Sequence, residues 1–375
     1  MPAPDNSTPY SKDLTSSYEA SRTALWVTEP EDTCLAVGYA DFDGDKREDY
    51  VCGSVTGTTS SAPIKIYSRG STGETWRDIT ASVFSGPIME TVHARKVAIA
   101  DFNGDGKPDL LIADHGYDQS PFPGAPLRLA LSQADGKLKL VDTSYAANGF
   151  YHAAAAADIN SDGFVDIVAT DNFHGGLLIL TNDGQGNFTV DAGRLPATFT
   201  GPGRAAFTVE LIDVDKDGAA DILVGGHDDQ TAGTMPPTIF WNDGTGHFTD
   251  AARTTLPYPA GYGVTLDFDV ADLDGDGSPE VVMNHTTLAP FYQGFRWSAV
   301  TINGRTAADT SAKWFGGVFD DGLGKCSSNC WTAETNWTKW LRLTDYDGDG
   351  KVDLLATDKS RNLRFKNTGS ALVKQ

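Results

Sequence analysis

Short apolar runs alternate with polar, glycine-rich turns along the chain, and they come in pairs. Ala98–Ala100 and Leu110–Ala113 flank one polar stretch, and Ala153–Ala157 and Ile167–Thr170 flank the next. The series continues with Val209–Ile212 and Ile222–Val224, Phe268–Ala271 and Val281–Met283, and Leu341–Thr344 and Leu354–Thr357. Tyr50–Cys52 follows an earlier polar stretch of the same kind. Runs this short, bounded by glycine, asparagine and aspartate, predict β-strands rather than helices. A third strand follows in most units, at Leu127–Leu131, Leu177–Thr181 and Thr238–Trp241, and it ends in turns such as Asn182-Asp-Gly or Asn242-Asp-Gly. Those dipeptides favour tight hairpins. A fourth strand is expected at Trp76–Thr80, Leu140–Thr143, Phe188–Asp191 and Phe248–Ala251.

The polar stretch between the first two strands of each unit is itself a repeat. It begins at Asp41, Asp101, Asp158, Asp213, Asp272 and Asp345, at intervals of 60, 57, 55, 59 and 73 residues. Oxygen-bearing side chains occupy its positions 1, 3, 5 and 9: Asp41, Asp43, Asp45 and Asp49; Asp101, Asn103, Asp105 and Asp109; Asp158, Asn160, Asp162 and Asp166; Asp213, Asp215, Asp217 and Asp221; Asp272, Asp274, Asp276 and Glu280; and Asp345, Asp347, Asp349 and Asp353. Glycine stands at position 6 except in the first copy, which has Lys46. This spacing wraps hard oxygen donors around a cation such as calcium, with glycine taking the sharp turn. Glu280 is an acceptable exchange for aspartate. Lys46 places the first site in question.

Four antiparallel strands repeated about every 60 residues describe the blades of a β-propeller. Six copies predict one six-bladed, all-β domain over residues 1–375. A seventh, degenerate blade would have to fit in the long interval after Asp272, whose excess is too short for one. The last unit shows no fourth strand after Asn362–Lys366, whereas Ser11–Tyr18 resembles the fourth-strand phrase Trp76–Val83. An N-terminal outer strand at about 10–20 is therefore expected to complete the last blade and hide a sheet edge.

These loops with their flanking strands resemble the FG-GAP/VCBS repeats of integrin α-chain propellers, fungal propeller lectins and many bacterial secreted proteins. The resemblance covers nearly the whole chain. It implies a propeller with up to six structural calcium ions, and it leaves activity open, because adhesion, lectin and lyase functions share the fold.

Composition agrees with metal loops. The formal charge is −22, and 22 of the 24 loop ligand positions are carboxylates, so six divalent cations would bring it to −10. Nucleic acid is an unsuitable partner for such a surface. No run of 18 apolar residues is present, so no membrane insertion by a helix is expected. Cys34–Cys52 and Cys326–Cys330 are the favoured pairings of the four cysteines. Disulfides and weak calcium loops fit an extracellular protein. Residues 1–6 show no signal-peptide pattern, so the expectation is a secreted protein whose signal segment is not in this sequence.

Propeller connectivity puts the cation loops on one face and the links after the second and fourth strands on the other. Six of the seven histidines fall in the latter links: His93 and His152 just before a first strand, and His115, His174, His227 and His285 just after a second strand. Arg95, Asp114, Tyr117, Tyr151, Asp171, Arg204, Asp228 and Asp229 occupy equivalent positions. Such a set can bind a second metal through imidazole, hold an acidic sugar through guanidinium, or take a proton beside a carboxylate. Single histidines of this kind also serve as internal hydrogen-bonding groups. An insertion at about 310–337 carries Trp314 and Trp331, whose exposed rings would suit sugar faces. Trp337 and Trp340 are expected to pack between blades.

The expected function is carbohydrate binding by a calcium-stiffened module, with glycan or polysaccharide as partner. A polysaccharide lyase is the alternative, with His93, His115, Tyr117, Tyr151, His152, His174, Arg204 and His227 as its candidate groups. Adhesion to a protein partner is the second alternative.

Overall fold

The computed structural model describes residues 34–69, 75–144, 146, 148–172, 176–196, 198–199, 205–227, 234–287, 295–316, 319–320, 340–356 and 363–375. They form six blade sheets, each running through the chain in order from an inner to an outer strand, and a two-stranded ribbon that pairs Ala62–Pro63 with Glu90–Thr91. Blade one is Cys34–Ala40, Asp49–Ser54, Lys65–Arg69 and Trp76–Asp78; blade two is Ala94–Ala100, Asp109–Asp114, Arg128–Ser132 and Leu138–Leu140. Blade three is Ala154–Ala157, Asp166–Asp171, Gly176–Asn182 and Phe188–Val190; blade four is Ala206–Ile212, Asp221–Gly226, Thr238–Phe240 and Arg253–Thr255. Blade five is Val264–Ala271, Glu280–Thr286, Phe295–Asn303 and Thr306–Asp309, and blade six is Leu341–Thr344, Asp353–Ala356, Arg364–Asn367 and Leu372–Lys374. The expected six-bladed propeller is the observed fold.

Each core lies between blades rather than within one. Ala36, Val51 and Ile66 of blade one pack with Val97, Ile99 and Leu110 of blade two, and the same arrangement recurs around the ring. Innermost strands are buried on both sides, which explains why apolar residues, many of them alanine, dominate them. Crowding is tight enough to require glycine. A Cβ on Gly53 would lie 2.5 Å from that of Ala94 in the next blade.

Ring closure differs from the expectation. Blade six has its own fourth strand, Leu372–Lys374, paired with Arg364–Asn367 through the turn at Thr368–Ala371. The proposed outer strand at about 10–20 lies outside the described residues. Among those described, closure runs through the inner strands instead. The Trp340 indole donates to the Leu35 carbonyl at 2.9 Å, and the Arg342 guanidinium lies 3.9 Å from the Tyr39 ring centre. Trp340 thus packs between blades six and one, as expected.

Two further differences concern boundaries. The outer strand of blade four is Arg253–Thr255, not Phe248–Ala251, because the Phe248 amide bonds to Arg194 of blade three and its ring enters the core between these blades. The long interval after Asp272 holds no extra blade among the described residues. It carries a short helix, Ser311–Phe315, and a strand, Phe319–Asp320, that adds to the blade-five sheet. Trp314 on that helix is fully buried against Trp297, Leu343 and Phe365, so it is a core residue and not an exposed platform.

Candidate functional site

The six loops share one backbone design. Position 1 accepts from the amides of positions 5 and 6: Asp101 from Asp105 at 3.0 Å and Gly106 at 2.8 Å, and Asp272 from Asp276 at 3.1 Å and Gly277 at 2.9 Å. The sharp turn requires left-handed backbone at position 6. Gly106 has φ 83°, Gly218 94° and Gly350 83°. Lys46 adopts φ 65° and donates its amide to Asp41 at 2.8 Å, so the first loop keeps the common shape despite its side chain. The position-9 carboxylate is buried beneath the loop and accepts the position-2 amide, as Asp109 does from Phe102 at 2.7 Å.

Carboxylate oxygens of Asp41, Asp43 and Asp45 lie within 4.8 Å of one another, as do those of Asp213, Asp215 and Asp221, of Asp272, Asp274 and Asp276, and of Asp345, Asp347 and Asp353. Burial pushes the position-9 acids up: Asp221 to about 8, Asp49 to about 7, and Asp109, Asp166, Glu280 and Asp353 to about 6. Neighbouring loop carboxylates push in the same direction. Asp215 Oδ1 and Asp353 Oδ2 are buried without a hydrogen-bond partner. Hard donors, crowded charge and orphaned oxygens together suit a divalent cation that takes oxygen ligands.

Asparagines at or just past the end of the third strand complete three of these loops, and sequence reading passed over Asn182 and Asn242 as turn formers. Asn182 donates from Nδ2 to Phe102 O of the preceding blade and to Val165 O of its own blade, both at 2.8 Å. Asn242 does the same to Ile159 O and Ala220 O, and Asn367 to Leu273 O and Val352 O. Their amides also bond to the position-9 acids Asp166, Asp221 and Asp353. The signal was the repeated asparagine at one register.

The opposite face gathers part of the expected set. The His93 and His115 rings lie 3.8 Å apart between centres at an interplanar angle of 46°, Phe150 stacks on His115 at 4.2 Å, and His152 lies 5.1 Å from His115. Phe207 stacks on His152 at 4.6 Å, and the Arg95 guanidinium lies 4.8 Å from the Phe207 ring. His227 is more distant, 6.1 Å from Phe207. Burial holds His93 and His152 well below the ordinary imidazole range, and His115 at about 3, with Arg95 adding to each. The cluster is therefore neutral at physiological pH.

A cleft of about 470 Å³ opens over this cluster, lined by Thr58, His93, Tyr117, Asp118, Gln119 and Phe122 among others. Asp118, Gln119 and Phe122 were not foreseen from the sequence. The cue for them was the long link between the second and third strands of blade two. Other expected residues point elsewhere. Asp114 is fully buried and brackets the backbone, accepting from the amides of Val92, His93 and Gly116. Tyr151 is fully buried, and both it and Asp171 pack on the backbone of Gly149. His285 lies inside a strand, sealed from solvent, with Nε2 2.9 Å from Ser298 Oγ. His174, Arg204, Asp228, Asp229, Trp331, Trp337 and Cys326–Cys330 lie outside the described residues. Cys34 and Cys52 form the expected disulfide.

The FG-GAP-like repeat profile matches residues 41–112, 101–169, 158–224 and 225–283, a span running from the first cation loop through the fifth. The chain belongs to the FG-GAP-like repeat family. Integrin alpha-V of Gallus gallus is 26% identical over 234 residues, which cover 57% of this chain and 22% of the integrin. The chain thus spans about a fifth of that relative's length. Among solved structures, an Agrocybe aegerita lectin that recognises non-reducing terminal N-acetylglucosamine shares the fold at TM-score 0.50 and 17% identity, over 91% of this chain and 79% of the lectin. A putative exo-β-1,3-galactanase from Bifidobacterium bifidum aligns at TM-score 0.46 and 13% identity, over 82% of this chain and 99% of the galactanase.

Proposed function

We propose that this FG-GAP propeller is an extracellular, calcium-stiffened module that binds carbohydrate in the cleft over the histidine cluster. The observation that carries the reading is the composition of that cleft. Tyr117 and the 44% exposed Phe122 offer flat apolar surface, while Asp118, Gln119 and Thr58 offer hydrogen bonds at its rim. A sugar ring presents the same two faces, one apolar and one ringed by hydroxyls. The calcium assignment rests on the loop donors, and the extracellular one on the Cys34–Cys52 disulfide together with the loops. The fold shared with a lectin is consistent with the reading and does not carry it.

Polysaccharide lyase activity is the second reading, favoured by His93 and Tyr117 in the same cleft with Arg95 behind them. A neutral imidazole there could remove the proton beside a uronate carboxylate, and Arg95 could hold the charge that develops. A glycan array run beside an ultraviolet absorbance screen on uronic-acid polysaccharides tests both. Retention on the array without new absorbance supports binding alone, product formation supports the lyase, and the absence of both retention and product overturns the cleft as a glycan site.

A further inference from the structure

One ring nitrogen each of His93 and His115 and a carboxylate oxygen of Asp118 lie within 4.8 Å of one another, and His93 and Asp118 line the cleft. We propose that these three residues bind a divalent transition cation of zinc type, distinct from the oxygen-lined loop sites on the opposite face. Two imidazoles and one carboxylate leave a fourth position open towards the cleft, the arrangement of an accessible zinc site rather than a closed structural one. Loop calcium would not compete well, because imidazole nitrogen favours softer ions.

The state of His115 is the independent observation. Its Nδ1 lies 2.9 Å from the Gly116 carbonyl, which can only accept, so Nδ1 carries the proton. The Nε2 lone pair is then available, and this atom is buried with no hydrogen-bond partner in a side chain that is 1% exposed. A backbone carbonyl on one imidazole nitrogen commonly orients the other towards a metal. His93 is fixed by the same bracket, since its amide bonds to Asp114 at 2.8 Å. Ligands around a zinc ion stand roughly 3.3 Å apart at tetrahedral angles, so closure from separations of up to 4.8 Å needs approaches of at most about 1.5 Å per pair. Asp118 is half-buried and sits on a link, where such a shift is easiest. Arg95 is the charge that opposes a cation here. Its guanidinium lies against the Phe207 ring, and the Asp118 carboxylate offsets it.

The test does not require a glycan. The full chain, without any histidine tag, is stripped with chelator, loaded with ZnCl2 in a large excess of CaCl2, desalted and assayed for metal. One zinc per chain is expected in the unaltered protein. Zinc affinity should fall about tenfold or more in Asp118→Asn, and to background in His115→Gln. Asp118→Asn should keep its melting temperature in calcium, which separates ligand loss from misfolding. Cobalt loading should give visible absorption that both variants lack. Zinc at background in the unaltered chain, or retained equally by both variants, overturns the proposal. Displacement of the zinc by calcium would assign it to the loops and overturn it likewise.

Discussion

Lys96 and Glu210 form an ion pair on the axis of the propeller, joining the inner strands of blades two and four, with blade three between them in the chain. The same ammonium donates to Val209 O at 3.3 Å, lies 3.8 Å from Asp267 of blade five, and stands 5.1 Å from the Trp340 ring of blade six. Asp267 and Asp269 in turn accept the amides of Leu341 and Leu343 at 2.7 Å, which tie blade six to blade five. One lysine thus touches blades four, five and six at the centre of the ring. Its removal should be costly. Lys96→Met removes the ammonium that faces two buried carboxylates, Glu210 and Asp267, and a loss of about 3–5 kcal/mol is expected in denaturant unfolding. Adding Glu210→Gln should recover part of it; a cost no larger than that of a surface lysine would refute the axial role.

Loop cations should stabilise the protein in a pH-dependent way. In the folded chain without metal, the position-9 acids hold their protons up to about 6–8, above the unfolded range. Their contribution is present below about pH 4 and is lost as pH rises through those values. Calcium binds only the ionised form, so it acts in the opposite sense. Each site held a hundredfold above its Kd adds about 2.7 kcal/mol. The fall in melting temperature on adding chelator should therefore be larger at pH 8 than at pH 5. An equal fall at both values, or none, would contradict the assignment.

His285 should shape the acid limb of stability. Burial holds it at about 3, against an ordinary imidazole near 6.5. Its folded value is depressed, so the stability it supports is present above pH 6.5 and is lost as pH falls towards 3. His285→Gln removes this titration, and Gln can still reach Ser298. We expect a loss of about 1–3 kcal/mol at pH 7 and a shallower decline between pH 6.5 and 3. A decline as steep as that of the unaltered chain would show that other groups, such as His115, dominate.

Much of this was legible in the sequence for a physical reason. The loops recur because each folds the same turn around its position-1 and position-9 carboxylates, and the pairs of short apolar runs recur because each blade buries both faces of its inner strands. Blade count followed from those periodicities. What local pattern could not show was where a side chain would point. Both His115 and His285 read as residues just after a second strand, yet His115 joins a cluster beneath a cleft while His285 falls within the strand Glu280–Thr286 and is sealed against Ser298. Trp314 looked like a free aromatic because nothing nearby in sequence reveals that the helix Ser311–Phe315 turns its ring under blade six. The C-terminal strand Leu372–Lys374 was missed because three residues carry too little pattern to read.

The cleft prediction turns on two aromatic side chains. Tyr117→Ala and Phe122→Ala each remove flat surface from the rim and touch no blade core. Either change should weaken glycan retention about tenfold, with an unchanged melting temperature. Retention that survives both would move the binding site away from this cleft.

The asparagine clamps make the sharpest test of how blades are joined. Asn182 Nδ2 is shared between Phe102 O and Val165 O, while its Oδ1 accepts the amides of Gly184 and Gly186. Asn182→Ala would leave two carbonyls and two amides to find other partners in a buried site. A loss of about 2–3 kcal/mol is expected, at the upper end for an unsatisfied polar group. Asn187→Ala is the control, because its side chain bonds only to the exposed Asp183 and should change stability by less than about 0.5 kcal/mol. Asn242 grips Ile159 O and Ala220 O, partners that Asn182 does not share. Losses from Asn182→Ala and Asn242→Ala should therefore add within about 0.5 kcal/mol. A combined loss well above the sum would mean that the two seams open together, and the blades would then be coupled through blade three rather than joined pair by pair.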